Sequence, residues 1–238
     1  MTFTAHCGGV RLPNDGGQAM AVSEAAGDSL KTAAIALLLV TAVPLVAGFL
    51  LAISLPAGLL FGVFGIPTVY AVLLIASGVL LVRGVGFALD ADTWRDRAAL
   101  VLVGPALLVS GAVAAGAAQA AGRDIGSLAR LLLEHDRYEA IIAEVRANPT
   151  AEFPAAPNGL RYRVDPGPPV RIAFNPDGMG DNWTGIVFDP TGDVMLADGF
   201  DAATVGGFTA PDRVKRLFGG DMVSCTHLWS DFYRCGFT

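Results

Sequence analysis

Charge is scarce in this sequence, and one long stretch has none at all. No Asp, Glu, Lys, Arg or His occurs from Thr32 to Val82, and charged residues make up only 16% of the 238 residues. Soluble domains carry about 25% charged residues, so the composition argues against an ordinary soluble protein. A membrane-crossing helix needs about 20 mostly apolar residues, and the uncharged stretch is therefore long enough to cross a bilayer twice.

Lysine is also nearly missing, since Lys31 and Lys215 are the only two in the chain. The net charge is -6, and no stretch gathers basic residues into a patch. Nucleic-acid-binding domains carry such a patch, so we expect no nucleic-acid partner. The use of Arg in place of Lys, together with abundant Ala and Gly, is typical of a GC-rich bacterial genome. We therefore expect a bacterial protein.

Three apolar runs predict three transmembrane helices, at about 30–54, 57–82 and 98–122. Pro56 and Gly58 punctuate the turn between the first two helices. A charged loop from Arg83 to Arg97 separates the second helix from the third. The lipid bilayer is thus the first partner that the sequence predicts.

The segment before the first helix, residues 1–28, has no apolar periodicity and predicts a flexible tail. Met20 is an alternative start to Met1, and His6 with Cys7 are too few ligands for a structural zinc site. The tail is not basic, and the apolar run that follows it is longer than the core of a signal peptide. We therefore expect a retained anchor that begins near Asp28.

Small residues recur at helical spacing in two of the apolar runs. Gly58 and Gly62 lie four residues apart, and so do Ala112, Gly116 and Ala120. Residues at this spacing share a helix face, and small side chains let membrane helices approach closely. We expect these five residues to pack against a neighbouring helix or a second copy of the chain. A second row in the third helix consists of Ala114, Ala118 and Gly122.

Behind the third helix the pattern becomes first amphipathic and then alternating. Residues 123–149 predict an amphipathic juxtamembrane helix, because their apolar residues follow roughly helical spacing. Residues 150–238 predict a small α+β domain on an antiparallel sheet, with four short strands, a short helix and a terminal hairpin. The fourth strand is predicted from Val194 to Ala197, after a turn at Asp189–Gly192.

The terminal hairpin contains two of the three cysteines. If Trp229, Ser230 and Asp231 form the turn, Cys225 lies opposite Cys235, and this register also gathers a mostly apolar face. Directly opposed residues in an antiparallel ribbon are close enough for a disulfide at a non-hydrogen-bonded pair. We predict that Cys225 and Cys235 form a disulfide. Such bonds persist in oxidising compartments, so this prediction favours a domain outside the cytoplasm.

The positions of the basic residues predict the orientation. Three crossings put the N-terminal tail and the Arg83–Arg97 loop on one side of the membrane. That side carries more basic residues close to the helix ends, namely Lys31, Arg83, Arg95 and Arg97. The positive-inside rule then predicts a cytoplasmic N-terminus and an extracytoplasmic C-terminal domain in a bacterial inner membrane.

Candidate chemistry is sparse, and no catalytic, metal or cofactor site is predicted. The most polar segment, from Asn175 to Asp201, lacks the spacing of an EF-hand and has the composition of turns. His227 lies near Asp231, but no nucleophile in a recognisable turn accompanies it. His135 and Asp136 are adjacent on a helix and so do not share a face.

The leading hypothesis is therefore a non-catalytic binding, sensing or envelope-assembly module held at the membrane. One alternative is a membrane-anchored enzyme that uses His227 and the Asp-rich loops. A second alternative is an accessory subunit of a transport or secretion complex. An enzyme should show a concave pocket that joins His227 to the 181–201 loops, whereas a binding or subunit role should show an exposed apolar patch.

Overall fold

The computed structural model of this chain describes residues 15–89, 93–148, 159–179, 181–200 and 207–238, with the backbone alone for 15–30, 96 and 179. Half of the predicted tail, and with it His6 and Cys7, lies outside the described residues. The chain divides into two compact units. One unit consists of Met1–Leu39 and Ala71–Gly111, and the other of Val40–Tyr70 and Ala112–Thr238.

Three long helices form the N-terminal part of the chain. Helix α1 spans Asp15–Ile53, α2 spans Leu55–Leu89 and α3 spans Trp94–Ala147. All three are long and apolar enough to cross a membrane. The three predicted apolar helices are therefore confirmed, and Ser54 alone separates the first from the second.

The bounds of two helices differ from the prediction. Helix α1 begins at Asp15 rather than near Asp28, because the sequence between them is rich in good helix formers such as Ala, Gln, Met and Glu. Helix α3 is one continuous helix of 54 residues where two elements, 98–122 and 123–149, were predicted. Its surface changes from apolar to charged after Ala121, but no proline or other helix stop accompanies that change.

Within the first unit, α2 and α3 pack through glycines. A Cβ atom at Gly84 would overlap the carbonyl oxygen of Leu100, and one at Gly104 would lie 2.5 Å from the carbonyl oxygen of Ser77. No larger residue fits at either position without moving a backbone. Glycine therefore sets the distance between these two helices.

Within the second unit, α1 and α3 pack in the same way. Cβ atoms at Gly48 and Gly122 would overlap the carbonyl oxygens of Gln119 and Leu45, and one at Gly126 would lie 2.6 Å from the carbonyl oxygen of Phe49. Of the five small residues predicted for packing, Gly58 lies against the backbone of Leu51 at the α1–α2 turn. A Cβ at Gly62 would meet only Ile66 of its own helix, and one at Gly116 would meet nothing within 4 Å.

The C-terminal domain is a six-stranded antiparallel sheet in the order β1-β2-β3-β6-β5-β4. The strands span Tyr162–Asp165, Arg171–Met179, Asn182–Phe188, Arg216–Leu217, Gly220–Trp229 and Phe232–Phe237. The edges bend towards each other, since Arg163 of β1 donates a hydrogen bond of 3.0 Å to the carbonyl oxygen of Phe218, next to β4. The short helix α4 spans Asp212–Lys215. The predicted antiparallel α+β domain is thus confirmed.

The predicted fourth strand, from Val194 to Ala197, is wrong. Asp193–Leu196 forms a 3₁₀ helix instead. Gly192 has a left-handed backbone (φ 73°), and the Asp189 carboxylate accepts a hydrogen bond of 3.1 Å from the backbone N–H of Val194. These two features turn the chain back on itself, so it does not extend into a strand.

Each face of the sheet carries its own hydrophobic core. On one face the C-terminal part of α3 contributes Leu131, Tyr138 and Ile142, which pack on Phe174 and Phe232. The other face is covered by the 3₁₀ helix and α4, and its buried residues include Val187, Val194, Val214, Met222, Tyr233 and Phe237. Because both faces are covered, the strands bury side chains in both directions.

The terminal hairpin has the predicted register at its centre. Cys225 pairs with Cys235, and His227 pairs with Tyr233. A turn at Trp229, Ser230 and Asp231 would pair Leu228 with Phe232 and Val223 with Phe237. Irregularities at both ends of the hairpin pair Trp229 with Phe232 and Met222 with Phe237 instead. The turn accordingly shortens to Ser230 and Asp231.

Candidate functional site

The end of α3 is fixed to the sheet by stacking and by a buried hydrogen bond. Tyr138 stacks on Phe174 with ring centroids 4.2 Å apart. The side-chain amide of Asn175 donates to the Tyr138 hydroxyl at 2.6 Å. Asn175 has a left-handed backbone (φ 49°), a conformation that Asn tolerates better than most residues. The sheet is therefore held in a defined orientation on α3.

Asp177 on β2 and Arg130 on α3 together join this sheet to two helices. Its carboxylate pairs with Arg130 of α3 at 2.8 Å and also with Arg161. The Arg130 guanidinium in addition donates a hydrogen bond of 3.2 Å to the carbonyl oxygen of Ala52, in the last turn of α1. One arginine thus connects α1, α3 and β2.

A second ion pair joins the sheet to Asp124 of α3, which precedes Arg130 in that helix. The Arg234 guanidinium on β6 donates to Asp124 at 2.9 Å and to the Thr226 hydroxyl at 3.3 Å. Both ion pairs are partly buried, which shields them from water more than surface pairs are shielded. Together they fasten β2 and β6 to the helix that leaves the apolar region.

A cavity of about 500 Å³ lies beside these ion pairs, and we call it the junction cavity. Its helical wall includes Leu51 and Leu55 at the α1–α2 turn. Its sheet wall includes Trp183 and Phe237, whose rings stack with centroids 3.9 Å apart. Its volume falls within the range of small-molecule sites, and it is the candidate functional site.

Two polar residues of α3 open into the junction cavity without a partner. Arg123 is exposed and makes no ion pair or hydrogen bond with any residue that the structure describes. Ser127, one turn further on, is only 5% exposed, and its hydroxyl makes no hydrogen bond with the described residues either. Among the described residues only the Ser77 hydroxyl is a buried polar atom without a partner, so the Ser127 hydroxyl is open to the cavity, where water or a ligand can reach it.

No protein-family model, no curated protein and no solved structure matches this chain. Its function is therefore inferred from the geometry of the described residues. The Asp-rich segment, His227 and the cysteine pair are the remaining candidates from the sequence. The contacts and the burial of most of these residues are described below.

Asp189 in the Asp-rich segment is part of the domain's framework. It is fully buried and pairs with Arg171, itself 4% exposed, over 3.0 Å. The same carboxylate accepts hydrogen bonds from the backbone N–H groups of Thr191 and Val194, at 3.2 and 3.1 Å. All of its acceptor capacity is directed to the chain around it, which is the environment of a structural residue.

The other aspartates of this segment do not converge on one point. Asp177 belongs to the junction, and Asp193 accepts two hydrogen bonds from Arg213, which hold the pKa of that carboxyl below its usual range. Asp181 is exposed, and Asp201 lies outside the described residues. In the part of the chain that is described, no group of three or more His, Cys, Asp or Glu residues could hold a metal ion.

His227 is exposed, and its Nε2 atom lies 2.8 Å from the carbonyl oxygen of Ser230 in the hairpin turn. Its ring contacts Tyr233 at 5.2 Å between centroids. It lines neither the junction cavity nor the smaller cavity of about 30 Å³ beside it. His135 lies against Trp229 and Phe232 in the contact between α3 and the sheet. The structure therefore does not bring His227 to the aspartates of the junction.

The cysteine pair lies on the face of the sheet that the 3₁₀ helix and α4 cover. Cys225 and Cys235 are directly opposed, with Cα atoms 4.1 Å apart and sulfur atoms at disulfide distance. Cys235 is fully buried in the core beneath the 3₁₀ helix, and Cys225 packs against the same core. A disulfide here would brace β6, which carries Arg234 and Phe237 of the cavity lining, against β5.

Sequence reasoning missed the residues that form the junction. Arg123 could have been noticed, because it is the first charged residue after the third apolar run. Arg130 and Arg234 carry no such signal, since their partners Asp177 and Asp124 lie 47 and 110 residues away in the chain. Only the packing of the sheet on α3 brings these charges together.

Proposed function

We propose that this chain is a bacterial inner-membrane protein whose C-terminal domain is a non-catalytic binding, sensing or envelope-assembly module. The observation that carries the proposal is an apolar ridge on α3 formed by Ile125, Leu132 and Leu133. These side chains are 52%, 60% and 80% exposed. Large apolar side chains gathered at a surface mark interaction sites more often than isolated ones do.

The position of the ridge supports a protein partner. Ile125 and Leu132 are seven residues apart and share a helix face, whereas Leu131 and Tyr138 on another face are buried against the sheet. Arg130 contacts the last turn of α1, so Leu132 and Leu133 project beyond the end of that helix. They are therefore available to a partner at the membrane surface.

The apolar ridge is compatible with one of the two alternative functions, the accessory subunit, and does not bear on the other, the membrane-anchored enzyme. An accessory subunit of a transport or secretion complex would use the same ridge, and the identity of the bound partner would distinguish it from a sensor. An enzyme built on His227 and the Asp-rich loops has no supporting observation in the described residues. Self-association through Ala112, Gly116 and Ala120 stays a prediction, and these three residues are exposed.

A photo-crosslinking amino acid at position 133 tests the ridge in living cells. We expect a discrete adduct, because Leu133 is the most exposed residue of the ridge. Ala143 is the matched control, since it is exposed on the same helix about 15 Å further on. A second substitution, Leu132→Glu, should remove the adduct at position 133.

The size of the adduct separates the possible partners. Twice the chain mass of 24.6 kDa indicates a second copy, and any other discrete mass indicates a different protein. Equal labelling at positions 133 and 143, or labelling of lipid alone at position 133, would contradict the proposal.

The proposed location has its own test. We propose that the N-terminus is cytoplasmic and the sheet domain extracytoplasmic, supported by the basic residues on the N-terminal side and by the opposed cysteines. If cellular protein is denatured and alkylated without reductant, Cys7 should take the label while Cys225 and Cys235 do not. Alkaline phosphatase fused after residue 238 should then be active. Labelling of all three cysteines together with an inactive phosphatase would reverse the orientation.

A further inference from the structure

Arginine is the more frequent of the charged side chains that line the junction cavity. Its lining contains Arg123, Arg234 and Asp177, and the side chains paired with them add Asp124, Arg130 and Arg161. Of these groups only the guanidinium groups of Arg123 and Arg234 and the side-chain carboxylate of Asp177 line the cavity itself. Arg123 makes no ion pair or hydrogen bond with any described residue, whereas Arg234 is paired with Asp124. An anion in the cavity would pair with a guanidinium that the chain itself leaves uncompensated.

The same cavity has an apolar wall next to these charges. Leu51 and Leu55 come from the turn between two apolar helices, and Trp183 and Phe237 come from the sheet. Ser127 also lines the cavity, and its hydroxyl can donate a hydrogen bond to an oxygen atom of a ligand. A ligand that satisfies the whole lining must therefore be anionic at one end and apolar at the other.

The level of the cavity along the helices narrows the class of ligand further. Arg123 follows directly on the third apolar run, and Leu51 and Leu55 lie where α1 ends and α2 begins. If these helices span a membrane, as proposed above, this level is that of the lipid headgroups. Basic pockets at this depth attract the headgroups of anionic lipids.

We infer that the junction cavity binds the phosphate headgroup of an anionic phospholipid. Arg123 and the Ser127 hydroxyl contact the phosphate oxygens, and Arg234 adds a second positive charge. The acyl chains leave along Leu51 and Leu55 towards the bilayer. This site is separate from the apolar ridge, so lipid binding does not depend on the protein partner proposed for that ridge.

The test uses the full chain in a neutral detergent and counts bound lipids by native mass spectrometry. Phosphatidylglycerol is compared with phosphatidylcholine of the same acyl chains, and inorganic phosphate is added in a third arm. We expect phosphatidylglycerol to bind at least tenfold more tightly than phosphatidylcholine. Arg123→Gln should weaken phosphatidylglycerol binding about tenfold, the usual order for one charge-assisted contact.

Arg137→Gln is the matched control, because Arg137 lies on the same helix, is exposed and pairs only with Glu134 in the described residues. It should leave lipid binding unchanged. Equal binding of the two lipids, or equal loss in both variants, would overturn the inference. Competition by millimolar inorganic phosphate that displaces the lipid completely would show that the site takes a free anion, and would overturn the assignment to a lipid. Loss of the crosslink at position 133 would leave this result unaffected.

Discussion

Replacing Asp189 by Ala should lower the free energy of unfolding of the sheet domain by about 3 kcal/mol, the order found when one partner of a buried ion pair is removed. Asp189 is fully buried, and its loss leaves the buried Arg171 guanidinium without its nearest carboxylate. Asp193 and Asp165 lie 3.5 and 3.9 Å from that guanidinium and limit the damage. Urea unfolding in detergent, followed by pulse proteolysis, measures the change.

Two further variants make this result interpretable. Asp221→Ala removes a carboxylate that pairs with the exposed Arg216, and it should cost less than about 1 kcal/mol. The double variant Arg171→Met with Asp189→Ala should recover part of the loss, because it removes the uncompensated charge. A stability of Asp189→Ala equal to that of the unmodified chain would show that Asp189 is not structural. Its place among candidate ligands or catalytic groups would then have to be reconsidered.

Replacing Gly122 by Ala should lower the free energy of unfolding by about 1–3 kcal/mol, as overpacking usually does. The added methyl group would overlap the carbonyl oxygen of Leu45, which is a backbone atom and cannot rotate away. The α1–α3 contact would have to open, and Gly126 would lose its close approach to Phe49. The midpoint of thermal unfolding in detergent should fall accordingly.

Gly116→Ala adds the same methyl group to the same helix where nothing lies within 4 Å. Because Ala is a better helix former than Gly by about 1 kcal/mol, this variant should be neutral or slightly stabilising. The two substitutions are thus expected to act in opposite directions. If Gly116→Ala destabilises the chain as much as Gly122→Ala, the row Ala112, Gly116, Ala120 packs against another molecule.

The spacing of small residues does not by itself identify the glycines that contact another helix. Gly116 and Gly122 look alike in the sequence, since each stands in a row of small residues spaced four apart. The spacing establishes that such residues share a face, but it does not show which face meets another helix. Gly48 gave no pattern at all, and only its position opposite Gln119 reveals that it fixes the α1–α3 distance.

Aspartates that look alike in the sequence likewise have different contacts in the structure. Asp177, Asp189 and Asp193 share one polar segment, where turn formation explains their presence equally well. In the structure Asp177 holds the sheet on α3, Asp189 is buried with Arg171, and Asp193 pairs at the surface with Arg213. The partners are Arg130 on α3, Arg171 on β2 and Arg213 on α4. A pattern within the polar segment cannot identify them, because they lie on other parts of the chain.

The sequence by itself determined the properties that depend on neighbours in the chain. The absence of charge from Thr32 to Val82 established the first two apolar helices, and the register around a turn at Trp229–Asp231 established which cysteines oppose each other. Periodicity carries this information because side-chain direction and solvent preference repeat along one element. The tertiary structure alone decided that Arg123 opens into a cavity, that Arg130 joins α1 to β2, and that Arg234 meets Asp124 across 110 residues. Those contacts depend on how separate elements pack in space, and packing is not periodic in the sequence.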